Sequence, residues 1–141
     1  MTHVLIVDDH RSFADALELV LRSTLAGSPR CSCAASVAEG LRLAQGGPYD
    51  LAVIDLMLPD GNGTTVVREI KARNPCTPVA VVSASEKLSE ALAAGADEAI
   101  PKDTGFAQLV TSLARLAGVP HRSSPQDSCY PTLREGTLES A

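Results

Sequence analysis

Residues 49–63 read YDLAVIDLMLPDGNG. Within them, Leu51 to Ile54 form an apolar, partly β-branched run with the composition of a strand buried on both faces. The run stops at Asp55, and Pro59, Gly61 and Gly63 follow as turn residues. Asp55 therefore stands at the C-terminal end of a strand. In an open parallel sheet that end is where ligands bind, so a carboxylate there is placed for chemistry rather than packing. Ending a strand in Asp to cap the next helix is the ordinary alternative, and the rest of the chain decides between the two.

Upstream, HVLIV at residues 3–7 is a second buried-strand run, ending in the adjacent pair Asp8 and Asp9. Neighbouring strand residues face opposite ways, so both carboxylates reach one pocket only if the strand opens into a loop there, which His10 to Ser12 supply. A helix follows with Phe13, Ala14, Leu17, Val20, Leu21 and Leu25 on one face, closed by Gly27, Ser28 and Pro29. A weaker strand from Cys31 to Ala35 leads through Ser36, an N-cap residue, into a helix from Val37 to Gln45.

Downstream, Thr64 is placed to cap a helix reaching Arg73, which Asn74-Pro75 stops. The Val-rich run at 78–82 reads as a strand ending in Ser83, and 86–94 as an Ala-rich helix closing at Gly95. A short strand at 98–100 ends in Pro101 and Lys102. Because proline cannot donate a ladder hydrogen bond, this strand belongs at a sheet edge. Thr104 opens a last helix to Ala117. Five strand and helix pairs in alternation, joined by right-handed crossovers, predict an α/β fold: a doubly wound, five-stranded parallel sheet with five helices in the flavodoxin-like order 2-1-3-4-5.

With 141 residues there is room for one domain of ordinary size, here 1–117. Residues 118–141 hold three prolines within 119–131 and no apolar periodicity, and read as a linker or disordered tail. Hydrophobic residues make up 45% and aromatics only 3%, so the core is aliphatic. A net charge of −5 argues against direct nucleic-acid contact by this segment, which would need concentrated Lys and Arg. Cys31, Cys33, Cys76 and Cys129 lack metal-ligand spacing and read as small buried or half-buried residues in a reducing compartment. With no signal peptide and no apolar run of membrane-spanning length, the expected location is cytoplasmic.

In the predicted strand order, Asp8, Asp9, Asp55, Ser83 and Lys102 converge on one crevice. Three carboxylates there repel, and a divalent cation resolves the repulsion; Mg²⁺ suits an all-oxygen, partly hydrated site. With Lys102 as a further positive charge and Ser83 as a hydroxyl donor, the crevice is equipped to stabilise a phosphoryl group in transfer, Asp55 being the natural nucleophile. His3 and His10 flank the acid pair, and solvated loop histidines are the favoured reading over a second metal site.

Taken together, Asp8-Asp9, Asp55 with Pro59 and Gly63, Ser83-Ala84, and G-A-D-E-A-I-P-K ending in Lys102 resemble a response-regulator receiver domain (CheY-like) from Thr2 to about Ala117. The D-D-H opening and the Lys102-Asp103 step look most like the LuxR/NarL-type subfamily. The resemblance implies that Asp55 accepts a phosphoryl group from the phosphohistidine of a sensor histidine kinase, the chain catalysing its own phosphorylation and dephosphorylation without turning over a separate substrate. It implies Mg²⁺ held by Asp8 (through water), Asp9, Asp55 and the Met57 backbone carbonyl, with Ser83 and Lys102 gripping the phosphoryl oxygens. A switch of the surface formed by the fourth helix, fifth strand and fifth helix would then control an output, usually transcription. A homodimer through the last helix or the surface beside it is also compatible, although no residue here demands one.

The sequence departs from the family pattern in three places. Ala99 stands where an aromatic switch residue is usual, Asp103 replaces a frequent proline so that no cis-proline is expected at that bond, and no output domain of ordinary size is present; a DNA-binding one would lie outside this segment. Ala99 lends weight to an alternative, a phosphorylation-independent protein-binding module. Retention of all five pocket residues weighs against it. An aspartate-nucleophile phosphatase is weaker, because Met57 stands where a second acid is common in those enzymes.

Overall fold

The computed structural model describes residues 3–25, 29–84 and 88–118. In chain order these form β1 (His3–Val7), α1 (Arg11–Thr24), β2 (Arg30–Ala34), α2 (Val37–Ala44), β3 (Leu51–Ile54), the two-residue strands β4 (Met57–Leu58) and β5 (Gly61–Asn62), α3 (Thr64–Arg73), β6 (Val79–Ser83), α4 (Leu88–Ala93), β7 (Glu98–Pro101) and α5 (Phe106–Gly118). The main sheet runs β2-β1-β3-β6-β7 and every pairing in it is parallel. Setting aside β4 and β5, which pair only with each other, this is the expected 2-1-3-4-5 order. The strand carrying Pro101 does lie at the edge, where its missing N–H costs no ladder bond.

Strand periodicity divides the interior into two layers. Val4, Ile6, Leu51, Val53, Ala80 and Val82 face one way and pack on Ala14, Leu17 and Leu21 of α1 and on Leu109, Val110 and Leu113 of α5. The alternate residues Leu5, Val7, Ala52, Ile54, Val79 and Val81 face the other way onto Val66, Val67 and Ile70 of α3, with Ala44 of α2 and Ala91 of α4. Both faces are covered, which is why these strands read as unbroken apolar runs.

Helix boundaries differ from expectation where a backbone or neighbouring side chain took over a cap. Thr64 is the first helical residue of α3, preceded by Gly63, and its N–H is met by Asn62 Oδ1 at 2.8 Å. α1 starts at Arg11, so the loop after β1 is only Asp8 to His10. α5 starts at Phe106, leaving Thr104 in the turn before it. Ser36 caps α2 as expected, its hydroxyl accepting from Glu39 N–H at 3.1 Å, while Glu39 Oε1 reaches back to Ala35 N–H at 2.9 Å. Cys31 is half-buried against α1, whereas Cys33 is exposed with its thiol 3.7 Å from Glu18 Oε1. The expected ends at Gly27-Ser28, the start of the fourth helix at Glu86, and the tail past Gly118, Cys129 included, lie outside the described residues. Among the described residues no helix is long and apolar enough to cross a membrane.

Candidate functional site

The site forms where β1, β3, β6 and β7 reach their C-terminal edge. Asp8 and Asp55 each continue a parallel ladder by one bond, Asp8 N–H to Ala34 O at 2.9 Å and Asp55 N–H to Val7 O at 2.8 Å. Both carboxylates are thereby fixed beside one another and almost fully buried, Asp55 at 2% exposure. Asp9, where the chain leaves the sheet, is exposed.

Each buried carboxylate is held in the same manner. One oxygen takes a local backbone N–H: Asp8 Oδ1 from His10 at 2.8 Å, Asp55 Oδ1 from Met57 at 3.1 Å. The other takes the Lys102 ammonium, at 2.9 Å from Asp8 Oδ2 and 3.2 Å from Asp55 Oδ2. The ammonium also meets His10 Nδ1 at 2.9 Å and lies 4.6 Å from the centroid of the Phe13 ring. Phe13 in turn packs edge-on against Phe106, with ring centroids 6.2 Å apart. An ammonium has three protons, and Asp8, Asp55 and His10 supply three acceptors, with an aromatic face beneath for the remaining charge. An ammonium can only donate, so Nδ1 is the acceptor in the contact with Lys102.

Lys102 is brought to the acids by β7, whose register sets Pro101 opposite Ser83; Lys102 N–H then donates to Ser83 O at 3.0 Å. Ser83 itself is fully buried at the end of β6. Asp8, Asp55 and Lys102 thus form one contacting cluster, with Asp9 at its solvent side and Ser83 one strand across. Met57 is 61% exposed, while its backbone pairs with Asn62 in the β4–β5 hairpin.

Two side chains enter that the sequence reading had set apart. His10, read as a solvated loop residue, is 62% exposed at its side chain, yet its Nδ1 lies 3.2 Å from Asp8 Oδ1, 3.7 Å from Asp9 Oδ1 and 3.8 Å from Asp55 Oδ2. Its place as the residue before α1, directly after two acids, was the available signal. Phe13 was read only as part of a helix face. His3, by contrast, lies at the opposite end of β1; its ring sits 4.5 Å from Tyr49 and its Nε2 2.8 Å from Ser32 Oγ, and burial together with nearby Arg30 holds its pKa below the usual histidine value.

The loop after Asp55 is held from two directions. Leu58-Pro59-Asp60-Gly61 turns the β4–β5 hairpin, with Gly61 at φ +151°, a conformation that favours glycine. Asp60 then accepts from the first helical N–H groups of α2, Val37 at 2.7 Å and Ala38 at 3.0 Å, and these bonds lower its pKa below the ordinary carboxylate value. At Gly63 a Cβ would sit 2.0 Å from the Asp55 carbonyl oxygen. A glycine eight residues after the acid is therefore required by the close return of the chain.

Among the described residues, ligand atoms of Asp8, Asp9, His10 and Asp55 all lie within 4.8 Å of one another. Clustered carboxylates of this kind suit a hard, oxygen-seeking divalent cation. Comparison with known proteins agrees with the geometry. The family model described as the response regulator receiver domain matches residues 4–114. Response regulator protein PilR of Pseudomonas aeruginosa is 35% identical over 130 residues, covering 88% of this chain and 28% of that protein. Sensory transduction protein RegX3 of Mycobacterium tuberculosis is 32% identical over 143 residues, 99% of this chain and 59% of that one. This chain thus spans between about a quarter and three fifths of these relatives. The structure of response regulator protein TrrA from Thermotoga maritima, in complex with Mg²⁺ and BeF, superposes with a TM-score of 0.71 at 25% identity, over 82% of this chain and 99% of that one.

Proposed function

The chain belongs to the response regulator receiver family, and from that premise we propose that Asp55 is a phosphoryl acceptor served by a sensor histidine kinase. The observation that carries the reading is the Lys102 ammonium joining the buried carboxylates of Asp8 and Asp55 at the C-terminal edge of the sheet. In the proposed reaction an Asp55 oxygen attacks the donor's phosphorus, the bond from phosphorus to the donor imidazole breaks, and an acyl phosphate forms on Asp55. The Met57 N–H fixes the rotamer of the attacking carboxylate. Lys102 is placed to follow the negative charge from the carboxylate to the phosphoryl oxygens, and Ser83 to donate a hydroxyl to them.

Mg²⁺ would be held by Asp8, Asp9, Asp55 and the Met57 carbonyl, and when bound would neutralise charge on the phosphoryl group. The TrrA structure, described as a complex with Mg²⁺ and BeF, supports Mg²⁺ as the ion. Met57 has no group that could orient a hydrolytic water, so self-dephosphorylation that is slow or depends on a partner accompanies the proposal. The switched surface would be α4, β7 and α5, and control of transcription the output, acting from the cytoplasm; a homodimer through α5 or the surface beside it belongs to the same proposal. The receiver would occupy residues 1–117, with 118–141 as linker or tail. A LuxR/NarL-type grouping is the finer proposal; it rests on the D-D-H opening and the Lys102-Asp103 step, and the relatives matched are not specifically of that group.

Intact mass after incubation with Mg²⁺ and a small acyl-phosphate donor tests the reading. One phosphoryl group should be gained by the wild type and none by Asp55→Asn or by metal-free protein, and removal of the donor should leave the adduct to decay slowly. Folded wild-type protein that gains no mass would overturn the proposal in favour of the phosphorylation-independent module.

A further inference from the structure

We infer that His10 is a nitrogen ligand of the divalent cation, which would make this site a mixed nitrogen and oxygen site that favours Mn²⁺ over Mg²⁺. The inference rests on the proposed metal site and concerns what His10 adds to it. Its Nδ1 lies between 3.2 and 3.8 Å from an oxygen of each of the three acids. It already faces a cation, accepting a hydrogen bond from the Lys102 ammonium at 2.9 Å, so its lone pair is directed into the pocket.

The spacing is compatible with a common ion. Ligands on opposite sides of a cation at about 2.1 Å are about 4.2 Å apart, and the four residues' ligand atoms lie within 4.8 Å. A contraction of a few tenths of an ångström closes the set. The backbone of His10 is held independently, its N–H on Asp8 Oδ1 and its carbonyl accepting from Ala14. The side chain makes no capping bond to α1, so nothing in the helix start requires an imidazole. Carboxylate and carbonyl oxygens suit Mg²⁺, whereas imidazole adds affinity for first-row transition metals.

Electron spin-echo modulation of Mn²⁺ bound to the full chain reads a coordinated ¹⁴N directly. Wild-type protein should show ¹⁴N coupling and His10→Ala should lose it; in calorimetry Mn²⁺ affinity should fall about tenfold while Mg²⁺ affinity changes far less. Retained thermal unfolding would confirm that His10→Ala is folded. Mn²⁺ bound without ¹⁴N coupling, or coupling that persists in His10→Ala through another histidine, would overturn the inference while leaving the metal site intact. Absence of any Mn²⁺ binding that Asp55→Asn abolishes would overturn both, and is distinguishable because no bound-ion signal is then present.

Discussion

The Lys102 ammonium, 47 positions along the chain from Asp55, donates to Asp55 Oδ2 at 3.2 Å. This contact, repeated at 2.9 Å with Asp8, offsets two buried negative charges that β1 and β3 force side by side. Without it the C-terminal edge of the sheet would hold an uncompensated pair, and a buried ion cluster that loses one partner is strongly destabilised.

Lys102→Met, which keeps the aliphatic stem but removes the charge, should therefore lose about 3 kcal/mol in urea unfolding performed in EDTA. Added Mg²⁺ should stabilise this variant more than it stabilises the wild type, since the ion then supplies charge that the lysine otherwise provides. Equal Mg²⁺ effects in the two proteins would show that the ion and the ammonium do not share the carboxylates.

Gly63→Ala places a methyl group against the Asp55 carbonyl oxygen, with 2.0 Å between them before relaxation. That is backbone, not a flexible side chain, so the loop must shift and Asp55 with it. Loss of roughly 3 kcal/mol is expected, the upper range for overpacking, together with a reduced rate of phosphoryl uptake. Gly46→Ala, whose Cβ would meet the Leu43 carbonyl oxygen only at 3.4 Å, serves as the control and should fall well short of that cost. Similar losses in both would refute a specific clash at the site.

Asp60 links the loop after Asp55 to the start of α2, and its pKa is lowered by the Val37 and Ala38 N–H bonds. A carboxyl whose folded-state pKa is depressed contributes stability that is complete above its unfolded value, about 3.9, and is lost as pH falls through the lower folded value. The stability gap between wild type and Asp60→Ala should accordingly hold constant from about pH 7 to 5 and narrow below about pH 4. Denaturant titrations across that range measure it. A gap that stays constant down to pH 2 would contradict the link.

Periodicity made the fold legible. Buried runs at 3–7, 51–54 and 79–83 separated by amphipathic segments admit few arrangements, and the edge position of β7 follows from Pro101. The contacting cluster of Asp8, Asp55 and Lys102 was legible for a related reason: each is the first polar residue where an apolar strand ends, a pattern that packing alone does not produce. Ser36 likewise announced its cap through a hydroxyl three residues before Glu39.

What only the tertiary structure decided are relations between segments that no local pattern encodes. Asp60 satisfies N–H groups of α2, 22 and 23 positions back along the chain, and His10 Nδ1 meets the Lys102 ammonium, 92 positions on. The sequence by itself determined which residues stand at the ends of the strands, because strand and helix periods are properties of neighbouring residues. Which of those residues touch, and through which atom, depended on sheet register and on the competition for a small number of hydrogen-bond donors in a buried, charged pocket.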